Sequence, residues 1–196
     1  MNVINLGKLA ATLWLGATLS GCIDATVDVA LTSETTAKVT MTQTMGPDFY
    51  AMVKQGGAEG GEEFCAEGEL TEAADGSATC MVTEEGAFAD LNISTDDNSI
   101  SFTSAGAGLV RVSLPLEDLR GEAGMDEQID DESRAMMEAF FADNTITIRF
   151  SGLEVTESNM TISGDRRAAE AVIPFMELIN TDSVLPAEYF AVVRVR

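Results

Sequence analysis

The chain has 196 residues, with 11 basic against 33 acidic side chains and a formal charge of −22. A field of that sign repels nucleic acid and anionic lipid headgroups, so no nucleic acid is expected among its partners. Histidine is absent, which removes His-dependent triads and dyads and every His-ligated metal centre.

In chain order the first element is a leader. Met1 to Gly21 pairs one positive flank, Lys8, with an apolar run from Leu9 to Leu19. That run falls short of the ~20 residues needed to span a bilayer core, so it reads as an export signal. It closes on Leu19-Ser20-Gly21-Cys22, which resembles a bacterial lipobox. The resemblance implies that residues 1–21 are removed and that Cys22 becomes the first residue of the mature protein. It further implies a thioether-linked diacylglycerol on Cys22, with an amide-linked, palmitate-type chain as a third tail. Two chains, at about 0.8 kcal/mol per buried methylene, hold a domain on a membrane. The alternative is an ordinary signal peptide cleaved near Ala17 or Ser20, leaving Cys22 a plain thiol. In some Gram-negative lipoproteins, Asp directly after the lipidated Cys retains the protein at the inner membrane. Ile23 stands there in this chain, so the periplasmic side of the outer membrane is preferred within the cell envelope.

The remaining residues, 22–196, are enough for one exported domain with a real core. Ile23 to Leu31 alternates, with Ile23, Ala25, Val27, Val29 and Leu31 on one face, as in a half-buried strand. Ala37, Val39, Met41 and Gln43 alternate in the same way after a turn, and the two segments read as a hairpin. Because the first strand starts beside Cys22, the edge of the sheet is expected to face the membrane. Gly46-Pro47-Asp48 opens a helix running to about Lys54, and glycine pairs then interrupt the chain. Asp75-Gly76 signals a turn into a strand over Ala78 to Thr83. Phe88 to Ile93 and Ser99 to Thr103 flank Asp96-Asp97-Asn98 as another hairpin, and Leu109 to Leu114 alternates again. Asp126 to Ala142 is the longest predicted helix, with an apolar stripe and acids crowding its N-terminal turns. Asn144 to Phe150, Val155 to Ile162, Ala169 to Phe175 and Tyr189 to Val195 complete the strand set. This is an α+β pattern: a largely antiparallel sheet or partial barrel with two to three helices packed on it.

With Cys22 acylated, Cys65 and Cys80 are the remaining thiols. An even pair in an exported chain reads as a disulfide pinning the glycine-rich helical segment onto the sheet. A redox-active pair is the alternative, although no Cys-x-x-Cys is present.

The order of elements resembles the LppM-like bacterial lipoproteins. The residues that carry the likeness are Gly21-Cys22, the acidic alternating strand, the Thr-rich second strand and the Gly-Pro-started helix. Phe64-Cys65, Cys80 within a strand and Val155-Thr156-Glu157-Ser158-Asn159 complete them. The resemblance spans most of the mature chain and implies a sheet-rich α+β domain in the envelope, with lipid or glycolipid binding suggested. The sequence departs from members that carry a membrane helix after the domain, since it reaches Arg194-Val195-Arg196 without one.

No catalytic motif stands out. Glu62, Glu63, Glu67 and Glu69, and Asp126 to Glu132, are acidic clusters without the spacing of an EF-hand loop. There is no Gly-x-Ser-x-Gly elbow, and Gly106-Ala107-Gly108 lacks the length of a phosphate loop. No catalytic residue, metal or cofactor is therefore expected. Basic residues are scarce, so Arg166, Arg167, Arg194 and Arg196 are candidate contacts for an anionic headgroup or an acidic partner. The reading is a non-enzymatic, lipid-anchored envelope lipoprotein that binds a lipid, an amphiphile or a partner protein. An apolar groove is expected between the Asp126 to Ala142 helix and the sheet. A carboxylate-based hydrolase of envelope glycans and a purely structural spacer are the alternatives.

Overall fold

A computed structural model describes residues 23–55, 64–91, 100–116, 138, 141–180 and 183–196. Cys22 and nearly all of the predicted Asp126 to Ala142 helix lie outside them, as do the groove expected beside that helix and the Asp96-Asp97-Asn98 turn. Near its end Glu138 and Phe141 are helical, and the Ala142 amide donates to the Glu138 carbonyl at 3.2 Å.

Strands β1 (Ile23–Leu31) and β2 (Thr36–Met45) form the predicted hairpin, with Ile23 opposite Met45 and Leu31 opposite Ala37. Helix α1 (Pro47–Gln55) follows, then β3 (Glu69–Glu72) and β4 (Ala78–Ala87). Next come β5 (Ser101–Gly106) and β6 (Leu109–Pro115), then β7 (Thr145–Ser151), β8 (Glu154–Ser158) and β9 (Thr161–Ile162). Strand β10 (Ala168–Pro174), helix α2 (Phe175–Ile179) and β11 (Glu188–Arg194) end the chain.

These strands make two open sheets, in the orders β3-β4-β2-β1-β7-β10-β9 and β5-β6-β11-β8. The first is mixed, because β7 pairs parallel to β1 while the other pairings are antiparallel. A parallel neighbour needs a long connection, and the chain supplies one between β1 and β7. Strand β1 is therefore a central strand of this sheet, not one of its edges.

The fold is dominated by sheet. Among the described residues the helices are short, and the apolar face of the first sheet is covered by the second sheet rather than by a helix layer. Strand alternation explains the difference. Val29, Val39, Ile148, Phe150 and Ala169 turn inward from the first sheet, and Val110, Val112, Val155, Ala191 and Val193 turn inward from the second. Two dry faces satisfy one another. The opposite face of the first sheet is polar and rich in threonine, with Thr40 and Thr83 Oγ1 atoms 3.4 Å apart and those of Thr44 and Thr79 3.2 Å apart.

Two further elements differ from expectation. Strand β4 runs on to Ala87 because Glu84, Glu85 and Gly86 pair with Val39, Lys38 and Ala37. Phe88–Asp90 is then a 3-10 turn and β5 pairs with β6, while residues 92–99 of the predicted hairpin lie outside the described residues. Gly106 and Gly108, at φ 126° and 69°, form the tight β5–β6 turn.

The chain passes from one sheet to the other between β7 and β8 through Gly152 and Leu153. The Gly152 amide donates to the Arg167 carbonyl and the Leu153 amide to the Arg194 carbonyl, each at 3.0 Å. A β-carbon at residue 152 would run into Cγ1 of Val193 and lie 3.2 Å from the Arg194 carbonyl. Gly152→Ala is expected to lower stability by about 1–3 kcal/mol through overpacking. Urea denaturation of the two proteins measures this, and an unchanged midpoint contradicts it.

Candidate functional site

Chemistry-bearing side chains converge at several places on the described surface. The first is the arginine corner at the sheet-to-sheet crossing. The turn between β9 and β10 is built by Asp165, whose Oδ1 accepts from the Ser163 hydroxyl at 2.7 Å and the Arg167 amide at 3.1 Å. Those donors hold the Asp165 carboxyl below its ordinary pKa, the Ser163 hydroxyl having the largest effect. Arg166 follows in a left-handed conformation, φ 58°. Its guanidinium donates to the Val155 carbonyl at 2.8 Å and lies 3.7 Å from Glu154. Arg194 reaches the other oxygen of Glu154 at 3.2 Å. The fold thus gathers Arg166 and Arg194 around a single carboxylate. Arg167 lies beside them, and Arg196 is exposed just beyond β11. Neither Arg167 nor Arg196 forms an ion pair with a described carboxylate.

The second place is the disulfide. Cys65 and Cys80 are joined, with Cα atoms 5.5 Å apart. Cys65 lies in the helical turn after Phe64, and Cys80 sits on the apolar face of β4, opposite Gln43. The bridged segment stands over Met41, Gln43 and Val82, leaving a hollow of about 230 Å³ against Phe64 and Glu67. That face continues the core side of the first sheet.

The third place is at the start of the sheet, where α1 meets β3. The Tyr50 hydroxyl donates to Glu72 at 2.7 Å, and the Lys54 ammonium meets the same oxygen at 2.8 Å. The Lys54 ammonium also lies 5.0 Å from the centre of the Tyr50 ring. These donors lower the Glu72 pKa, Lys54 first, and in return Tyr50 and Lys54 titrate above their ordinary values. Beside them is a hollow of about 360 Å³ lined by Ala51, Gln55, Ala73 and Gly76 as well.

The fourth lies on the outer face of the second sheet. Arg111 binds Glu188 through both nitrogens, at 2.6 and 3.3 Å, and its guanidinium carbon sits 4.4 Å from the centre of the Phe190 ring. Arg111 pulls the Glu188 pKa down. Neither this pair nor the Tyr50–Glu72–Lys54 group was singled out from the sequence. The signal for Arg111 was present: it is the charged residue at an outward position of the alternating segment Leu109 to Leu114.

The Val155 to Asn159 segment also finds a physical role. The Thr156 and Ser158 hydroxyls donate to the Val192 and Phe190 carbonyls at 3.1 and 2.6 Å. The Asn159 amide then bonds both Glu188 O and Phe190 N, at 2.7 and 2.9 Å, so a side chain prolongs the β8–β11 ladder. No described helix is long and apolar enough to cross a membrane.

The sequence matches no protein-family model and no curated protein. Among solved structures the chain is similar to the NMR structure of the folded domain of LppM from Mycobacterium tuberculosis. The identity is 10% and the TM-score 0.48, over 92% of this chain and 94% of that one. It is a likeness of chain course, and no ligand or residue role is carried over from it.

Replacing both Cys65 and Cys80 by serine is expected to remove about 3 kcal/mol, the chain-entropy value for a loop of this length. Reductant should lower wild-type stability equally and leave the double variant unchanged in chemical denaturation. Glu188, with its lowered pKa, contributes stability that is present above the ordinary glutamate value of about 4.3 and is lost as pH falls below it. Glu188→Gln should therefore flatten the acid limb of the stability–pH curve, and an unaltered limb contradicts this.

Proposed function

We propose that the protein is a lipid-anchored envelope lipoprotein, non-enzymatic, whose tethered domain recognises an amphiphile or an envelope partner protein. In this reading residues 1–21 are the removed leader, Cys22 carries the acyl chains, and 22–196 is one exported domain. The periplasmic side of the outer membrane is the preferred location. The observation that carries the reading is the position of Ile23. It is the first rung of a central strand, already paired with Met45, so the sheet begins at the residue that would follow a lipidated Cys22. The Cys65–Cys80 disulfide agrees with an oxidising compartment.

Among the described carboxylates, Glu72, Asp75, Asp165 and Glu188 are held more strongly ionised by their donors, the opposite of the raised pKa that a glycosidase acid uses. The two hollows, about 230 and 360 Å³, stand near the lower end of the roughly 300–1,000 Å³ of ligand pockets. They suit a headgroup, a short acyl segment or a partner's side chain rather than a whole lipid.

The test is purification from detergent-solubilised envelopes with native and peptide-level mass spectrometry. The expected result is a mature N-terminus at Cys22 bearing diacylglycerol and acyl mass, with a co-purifying amphiphile or protein. A mature chain starting at another residue, with an unmodified Cys22 thiol, overturns the reading.

A further inference from the structure

We infer that the domain docks directly on the lipid surface through one defined pole, the end of the first sheet that holds α1 and α2. This rests on the lipid anchor proposed above. One peptide unit, 3.8 Å between Cα atoms, separates Cys22 from Ile23, and Ile23 is already paired in the sheet. No slack chain is left between the acyl tails and the folded body. Whichever residues surround Ile23 are carried to the headgroups.

The registers identify them. Ile23 pairs with Met45, and Met45 with Ala78. On the other side the Thr145 amide donates to Asp24 at 2.9 Å, Thr145 pairs with Pro174, and the Phe175 amide donates to the Asn144 carbonyl at 2.8 Å. Helix α1 therefore begins at this pole through Pro47, and α2 begins there through Phe175. Ser183 is fastened to α2 by its hydroxyl on the Glu177 carbonyl at 2.6 Å, and its neighbour Val184 is 101% exposed. Met52 on α1 is 54% exposed, and Pro47 and Pro174 are exposed as well. Apolar side chains held out to water at the one pole the anchor draws inward are what a headgroup layer would accept.

The same pole carries Asp48, Asp75 and Glu177, so the surface it fits is zwitterionic, and an anionic leaflet would push it away. Strand β1 has nine residues and rises about 3.3 Å for each. The arginine corner at the opposite end therefore stands on the order of 30 Å from the anchor, facing the aqueous side. Arg167 and Arg196 are thereby presented to a soluble or facing anionic partner, not to headgroups of the anchoring leaflet.

The experiment uses the full lipidated protein in vesicles of phosphatidylethanolamine and phosphatidylcholine containing a lipid-borne quencher. An environment-sensitive fluorophore is placed on Val184→Cys, on Met52→Cys or, at the far end, on Thr35→Cys. The expected result is blue-shifted emission and several-fold stronger quenching at 184 and 52 than at 35. The difference should shrink as phosphatidylglycerol replaces the zwitterionic lipid and return with added salt. Flotation with the vesicles but equal quenching at 184 and 35 overturns the docking while leaving the anchor standing. A protein that stays in the aqueous fraction, with no lipid mass on Cys22, overturns both.

Discussion

The dry interface between the two sheets is what every other feature hangs on. Val29, Ile148 and Phe150 from one side, and Val112, Val155 and Val193 from the other, are completely removed from water. Each sheet alone would leave that face exposed, at about 25 cal/mol for every Å² of apolar surface. The crossing between β7 and β8 fixes how closely the sheets approach. It uses two residues, and Gly152 stands there because a larger side chain would displace Val193. The same two residues lend their amides to the Arg167 carbonyl in the β9–β10 turn and the Arg194 carbonyl of β11, so the joint is hydrogen-bonded as well as packed.

Once the interface is set, polar chemistry is driven outward and sorted by end. The crossing end collects Arg166, Arg167 and Arg194 in a protein with very few cations, and Glu154 compensates two of them. The other end carries α1, α2 and their acids. Charge neutralisation at the crossing makes physical sense. Three turns and the last strand meet there with many backbone carbonyls, and the Arg166 guanidinium satisfies one of them. The left-handed backbone at Arg166 is held by the Asp165 turn on one side and by this contact on the other.

Much of the strand structure was legible in the sequence. The inward sets Val27-Val29-Leu31, Ile146-Ile148-Phe150 and Tyr189-Ala191-Val193 follow from period-two alternation, and the structure buries or half-buries each of them. The Cys65–Cys80 bridge followed from counting thiols. The length of β4 did not, because Glu84, Glu85 and Gly86 look like the start of a loop until β2 is placed alongside them. The covering layer differs as well: among the described residues a second sheet packs on the first, and most of the Asp126 to Ala142 helix lies outside them. Of the candidate site residues, the arginines were found by scarcity alone. The convergence of Arg166 and Arg194 on Glu154 could not be read, since Glu154 and Arg194 lie on strands whose pairing is not written in either segment.

The sequence by itself determined the faces: which side chains of each strand turn inward and where most of the chain turns. Those properties depend on one segment and its contact with water, so a local pattern encodes them. Only the tertiary structure decided that β1 is central, that β7 lies parallel to it, and that Arg166, Arg194 and Glu154 share a corner. Pairing order is settled between segments distant along the chain, by which dry faces and ladder edges fit together, and alternation within a strand is the same whichever neighbour it finds.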